Sequence, residues 1–165
     1  MLCELDGKLC SCSWDGDAGL LSPEHSIGCL PDGLAPCRSH HSGNAHVLCS
    51  ADGRNVYATT RTDGAVVSFS VEASTGVLSK LQSVSCGGVC PRNFILDGGP
   101  ARLARDGAAL ARLRVGNQDS QNLVTYKIGA DGRLVEPPEQ LLNLDGVCPN
   151  VITLPTSLPA WQELP

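Results

Sequence analysis

Asp63 to Leu78 reads DGAVVSFSVEASTGVL. An Asp-Gly turn leads into alternation, with Val66, Ser68 and Ser70 on one side and Val67, Phe69 and Val71 on the other. Period-two alternation bounded by turn residues predicts a strand, and the closing Thr75-Gly76 predicts a hairpin. The pattern returns at Asp119 to Leu134, DSQNLVTYKIGADGRL, where Gly132 lies 56 residues after Gly76. A third copy, LDGKLCSCSWDGDAGLL, runs from Leu5 to Leu21, and its Gly19 lies 57 residues before Gly76. Self-similarity at a fixed spacing predicts a repeat architecture.

A second element precedes each polar turn. SADGRNVYATTR (Ser50 to Arg61) and RDGAALARLRVGNQ (Arg105 to Gln118) both read Asp-Gly, an apolar strand, then a polar end. Each unit is thus turn, strand, polar loop, strand, hairpin turn, strand, which is the wiring of a β-propeller blade. The expected fold is all-β, a partial β-propeller of about three antiparallel four-stranded blades. Residues 1–43 form an incomplete blade, 44–91 a blade, and 92–154 the last blade. Closed propellers contain roughly four to eight blades, so the chain is expected to be a fragment that relies on missing blades or on self-association. Residues 98–105 interrupt the repeat as an insertion, and the four arginines 102, 105, 112 and 114 read as a solvated loop or short helix rather than a binding patch. The tail from 155 to 165, with three Pro, is expected to fray.

Composition agrees with this reading. In 165 residues, 18 Gly and 11 Pro favour turns, and a hydrophobic fraction of 42% supports a packed core. Aromatics make up only 4%, so Val, Leu, Ala and Ile must supply most of the burial. A net charge of -5 with no basic run excludes an electrostatic case for nucleic acid. MLCELDGKLC lacks the pattern of a signal peptide, and no apolar run approaches the roughly 18 to 20 residues that span a bilayer. The expected location is cytoplasmic, with no membrane partner. Nine cysteines, an odd number without a secretory signal, argue against a disulfide framework. Cys10 and Cys12 would share one face of a strand, and Cys86 and Cys90 have a zinc-like spacing without a second pair. The cysteines are therefore read as small buried apolar residues, with no metal site.

The stretch CPRNFILD (Cys90 to Asp97), followed by VGNQDSQNLVTYKIGADGRL (Val115 to Leu134), resembles the last blade of the seven-bladed propeller lactonase family. Gly87-Gly88-Val89-Cys90-Pro91-Arg92-Asn93-Phe94 fits that family's Gly-Gly-x-x-Pro-Arg-x-Phe, and SADGRNVYATTR is similar to its Ser-Pro-Asp-Gly-Arg-x-Leu-Tyr-x-Ser-Asn-Arg. Cys3-Glu4-Leu5-Asp6 is similar to its Asn-Glu-Leu-Asp strand end. The resemblance covers nearly the whole chain except the insertion and tail, and corresponds to the C-terminal blades only. It implies a 6-phosphogluconolactonase-like hydrolase of carbohydrate metabolism acting on a sugar-phosphate lactone, with no cofactor. The alternatives are a carboxy-muconate cyclase-like lactonising enzyme and a non-catalytic propeller fragment that binds protein.

Lactone hydrolysis needs a base for water, donors for the developing oxyanion and cations for the phosphate. The resemblance makes Glu4 the candidate base, against a solvated strand-end carboxylate, and Arg61 the anion-binding residue, against a surface arginine. Arg92 would line the same channel or brace a loop through backbone carbonyls. His46 begins a strand on the channel side, as a proton carrier or as a hydrogen-bonded structural residue. His40 and His41 read as solvated. Asn117 and Gln118 end a strand of the last blade, either to donate to a substrate oxygen or to close a turn. No Gly-x-Ser-x-Gly elbow is present.

Overall fold

A computed structural model of the chain describes residues 1–35, 43–97 and 111–149. The insertion at 98–105, the tail, Cys37, His40, His41, Arg102 and Arg105 lie outside the described residues. Those described form strands and turns without a helix, in three antiparallel sheets. The first sheet holds β1 (Leu2–Cys3), β2 (Lys8–Asp15) and β3 (Leu20–Gly28), in that order. The second holds β4 (Asn44–Cys49), β5 (Asn55–Thr60), β6 (Ala65–Val71) and β7 (Leu78–Ser85). The third holds β8 (Pro91–Asp97), β9 (Arg112–Asn117), β10 (Asn122–Ile128) and β11 (Leu134–Asn143). Each sheet pairs strands consecutive in sequence, and the three stack as blades of a partial β-propeller.

The repeat seen in sequence is a repeat of backbone geometry. A four-residue turn follows β1, β5 and β9, and its last residue has positive φ each time: Gly7 at 65°, Gly64 at 63° and Gln121 at 51°. The left-handed region costs a β-carbon residue energy, so Gly is the ordinary occupant and Gln121 is the exception. The last turn is Gln118 to Gln121, and Asn122 already belongs to β10. The expectation that Asp119 to Asn122 turns the chain, with Gln118 ending a strand, is thus one residue out of register. The same carbonyl of each turn is capped from the end of its own blade: Cys29 donates to Gly7 at 2.8 Å, Cys86 to Gly64 at 2.7 Å and Leu144 to Gln121 at 2.8 Å.

Packing explains the alternation differently from a half-solvated strand. On β6, Val67 and Phe69 face the first sheet, joining a core with Leu9, Cys29, Val56, Ala58, Ala65 and Leu78. Val66 faces the third sheet, joining Tyr57, Val84, Phe94, Leu113, Val115, Val124, Tyr126 and Leu134. The middle sheet is covered on both faces, so Ser68, in line with Val66, is also buried. Burying a Val or Phe side chain stabilises by roughly 1.5–3 kcal/mol, and these residues supply the burial that the few aromatics cannot.

Hydrogen bonds cross the same seams. Leu78 N donates to His25 Nδ1 at 3.3 Å. Gln82 bonds Leu134 twice, accepting from its N–H at 2.9 Å and donating to its carbonyl at 3.0 Å. Tyr57 Oη donates to Gly132 O at 3.0 Å and Tyr126 Oη to Ser85 O at 2.6 Å. Burial pushes both phenols up to about 12.

The cysteines divide. Cys29, Cys86 and Cys90 are buried as expected, and burial pushes Cys29 up to about 12. Cys3, Cys10 and Cys12 are only half-buried, and Cys49 and Cys148 are exposed, which corrects the reading of all as core residues. Leu9 points at the second sheet, so Cys10 and Cys12 point away from it, onto a face with nothing packed against it among the described residues. Cys3 joins them, its Sγ 3.9 Å from that of Cys10.

Candidate functional site

One cleft lies where the strand ends of all three blades converge. It has a volume of about 130 Å³ and is lined by Glu4, Asn44, Ala45, Arg61 and Arg92. Glu4 opens the turn after β1, and Arg61 opens the equivalent turn after β5. Asn44 and Ala45 begin β4, and Arg92 begins β8. Each residue sits at the end of a strand because the hairpin geometry repeats, so side chains far apart in sequence meet at one end of the sheets.

The local backbone brings Glu4 and Arg61 together. Gly43, with φ of 90°, lets β4 start against the first blade, and Asn44 N donates to Glu4 O at 3.0 Å. A β-carbon at Gly43 would sit 2.4 Å from Glu4 O, so the approach requires glycine. Arg61 N donates to Gly43 O at 2.8 Å, which fixes the turn beside the strand. In the third blade Gln118 N makes the equivalent bond to Cys90 O at 2.9 Å.

The electrostatic centre is Arg61. Its side chain is only 5% exposed, whereas that of its ion-pair partner Glu4 is 60% exposed. One guanidinium nitrogen, Nη2, donates to the Glu4 carboxylate and, at 3.4 Å, to Asn44 O. Its Nε is buried and forms no hydrogen bond. A buried cation retains a large desolvation penalty unless every donor is satisfied. Arg61 therefore presents a fixed positive charge with donor capacity to spare, and Glu4 presents a carboxylate that water reaches. Arg92 is exposed and adds a second cation. Cys90, buried nearby, is pushed up by desolvation and by Asp119, against the pull of Arg61 and Arg92. Burial keeps it a thiol rather than a thiolate nucleophile.

The other sequence-derived candidates lie elsewhere. His46 does not line the cleft. Its Nδ1 accepts a hydrogen bond from Phe94 N at 3.1 Å, and its ring meets that of Phe94 at 4.8 Å between centroids. Burial pulls its pKa below the ordinary histidine value. Asn117 is fully buried, and its Nδ2 donates to Cys86 O at 3.0 Å and to Asn122 Oδ1 at 2.9 Å. That amide braces the third blade against the second, and Asn117 does not line the cleft. Gln118 lies in the turn, with its carbonyl accepting from Cys148 Sγ at 3.6 Å, and does not line the cleft. Sequence reasoning missed Asn44 and Ala45. The available signal was Gly43, a glycine immediately before an alternating strand. Among the described residues no group of three His, Cys, Asp or Glu side chains is placed to hold a metal. The described residues include no helix long and apolar enough to cross a membrane.

Over residues 1–148 the chain matches the family model described as Lactonase, 7-bladed beta-propeller. It is 25% identical to a Lactobacillus plantarum protein of solved structure, with a TM-score of 0.67 over 86% of this chain and 37% of that one. A Bacteroides uniformis protein assigned provisionally as a 6-phosphogluconolactonase is also 25% identical, with a TM-score of 0.63 over 87% of this chain and 37% of that one. The periplasmic gluconolactonase of Pseudomonas aeruginosa is 24% identical, with a TM-score of 0.67 over 86% of this chain and 35% of that one. The chain thus spans little more than a third of each of these proteins. No match is found among curated proteins.

Proposed function

Because the chain belongs to the seven-bladed β-propeller lactonase family, we propose that its cleft serves the hydrolysis of a sugar-derived lactone carrying an anionic group, of the 6-phosphogluconolactone type. The observation that carries this reading is the convergence of Glu4, Arg61 and Arg92, one from each blade, on a single cleft. Glu4 takes a proton from water as the water oxygen adds to the lactone carbonyl. Collapse of the tetrahedral species breaks the ring C–O bond, and the proton passes to the departing ring oxygen. Arg61 supplies a preorganised charge for the oxyanion, and Arg92 holds the phosphate at the mouth. No proton-transfer step is given to His46, whose Nδ1 is engaged with Phe94. A phosphorylated substrate suits the cytoplasmic location expected from the sequence, whereas an unphosphorylated lactone would suit a site like that of the periplasmic relative.

The test is turnover of the purified chain on 6-phosphogluconolactone, unphosphorylated gluconolactone and a carboxylated muconate. Glu4→Gln is expected to lower kcat by roughly a hundredfold or more, the usual contribution of a positioned base. Arg92→Ala is expected to raise KM for the phosphorylated lactone with little change in kcat. Wild-type kinetics in both variants overturn the assignment, and turnover confined to the muconate transfers it to the lactonising reaction.

A further inference from the structure

The stretch Asn117-Gln118-Asp119-Ser120-Gln121-Asn122 carries more polar groups than its turn requires. The second blade makes the same turn with Thr60, Asp63 and Ala65 where the third has Asn117, Ser120 and Asn122. In the third blade the extra groups are directed at the loop between β7 and β8. Every carbonyl of that loop from Cys86 to Cys90 accepts a hydrogen bond. Asn117 Nδ2 donates to Cys86 O and Asn122 Nδ2 to Gly87 O, each at 3.0 Å. Cys86 Sγ donates to Gly88 O at 3.1 Å. Asp119 N donates to Val89 O at 3.2 Å and Gln118 N to Cys90 O at 2.9 Å. Ser120 Oγ accepts from Val89 N at 2.8 Å and donates to Asn122 Oδ1 at 2.9 Å. The fit is close: a β-carbon at Gly88 would lie 2.3 Å from Ser120 Oγ and 2.6 Å from Asn122 Oδ1.

This loop leads directly to Arg92. Pro91 pairs with Asn117 and Asn93 with Gly116, so Arg92 is the extra residue of a β-bulge. A bulge leaves its extra residue outside the ladder and re-aims its side chain. The direction of Arg92 is therefore set by how the chain enters the bulge as well as by strand pairing. The second sheet is irregular at the same place, between Asn44 and Val47, and Ala45 stands there where Arg92 stands in the third. Ala45 and Arg92 both line the cleft, and of the two only Arg92 carries charge. The loop bound carbonyl by carbonyl is thus the one that delivers a cation to the cleft.

We propose that Asn117, Ser120 and Asn122 are positioning residues for Arg92, fixing the bulge that aims its guanidinium at the anionic group of the substrate. The proposal rests on the reading of Arg92 as the cation that holds the phosphate. Arg92 is exposed and rotamer-rich, and a backbone fixed in advance leaves less to be ordered when the anion binds.

A double-mutant cycle on the 165-residue chain tests this. It is read as KM for 6-phosphogluconolactone and as calorimetric affinity for 6-phosphogluconate, which needs no turnover. Ser120→Ala and Asn122→Ala should each raise KM and weaken binding about tenfold, with kcat unchanged, as expected for a lost hydrogen bond. Turnover of unphosphorylated gluconolactone should stay at the wild-type level. Ser120→Thr keeps the hydroxyl and should restore both readouts. Ser120→Ala added to Arg92→Ala should cost nothing further, because the aimed group is already gone. Ser120→Ala alone serves if Asn122→Ala fails to fold by circular dichroism. Equal effects on both lactones, no rescue by Ser120→Thr, or losses that add to those of Arg92→Ala overturn the proposal and make the stretch a structural brace only. A chain that turns over neither lactone but shows the non-additive cycle in 6-phosphogluconate affinity overturns the lactonase reading and supports the positioning role. Affinity indifferent to Arg92→Ala overturns both.

Discussion

His46 makes the contact of a hydrogen-bonded structural residue, one of the two roles that its sequence position left open. Its neutral Nδ1 accepts from Phe94 N across a blade seam, and burial holds its pKa below the ordinary value near 6.5. The unfolded chain therefore takes up a proton at higher pH than the folded chain. Stability is fully present above about pH 6.5 and is lost as pH falls from there toward the depressed folded value, with a slope of at most about 1.4 kcal/mol per pH unit. His46→Gln, whose amide oxygen can still accept from Phe94 N, should flatten that slope in urea titrations between pH 7 and pH 5. An unchanged slope would place the titration elsewhere. Glu4, Arg61 and Arg92 were legible as site candidates because they sit at family motif positions. Asn117 stood at an equally recognisable position, but its Nδ2 donates to Cys86 O and Asn122 Oδ1. Sequence names a polar residue at a strand end. Whether its donors are already engaged is a property of the neighbouring blade.

At the scale of elements, the seams between sheets are held by apolar burial and by a small set of side chain–backbone bonds. Gln82 is the clearest case, since both ends of its amide engage Leu134. Gln82→Ala should destabilise the chain by about 1–3 kcal/mol, chiefly because a Leu134 N–H and carbonyl lose their partners in a partly buried seam. Phe69→Ala should cost about 3–5 kcal/mol, because Phe69 is wholly buried between the first two sheets and leaves a cavity. Chemical denaturation of the two variants checks the order, and a larger loss for Gln82→Ala would contradict this account of the seams. The strands themselves were legible from alternation and Gly spacing. Alternation left open whether the Val66 and Ser68 side of β6 is covered: Ser68 is buried because a blade packs on each face, and a period of two cannot distinguish one covered face from two.

At the scale of the whole molecule, stability is distributed by position in the stack, since each sheet touches only its neighbours. Among the described residues the second sheet is covered on both faces and the outer two on one. Native-state hydrogen exchange of the isolated chain should find the slowest amides in β5 and β6, and faster exchange in β3 and β11, whose side chains are mostly exposed. Equal protection in all three sheets would contradict this ordering. The sequence by itself determined the blade repeat, because turn glycines and period-two alternation are local properties that survive without their neighbours. It also determined the family, through the order of its motifs. Only the tertiary structure decided which polar residues meet, bringing Glu4, Arg61 and Arg92 from three blades to one cleft while enclosing Asn117 and His46 in seams. That outcome depends on packing between blades tens of residues apart, which no local pattern encodes.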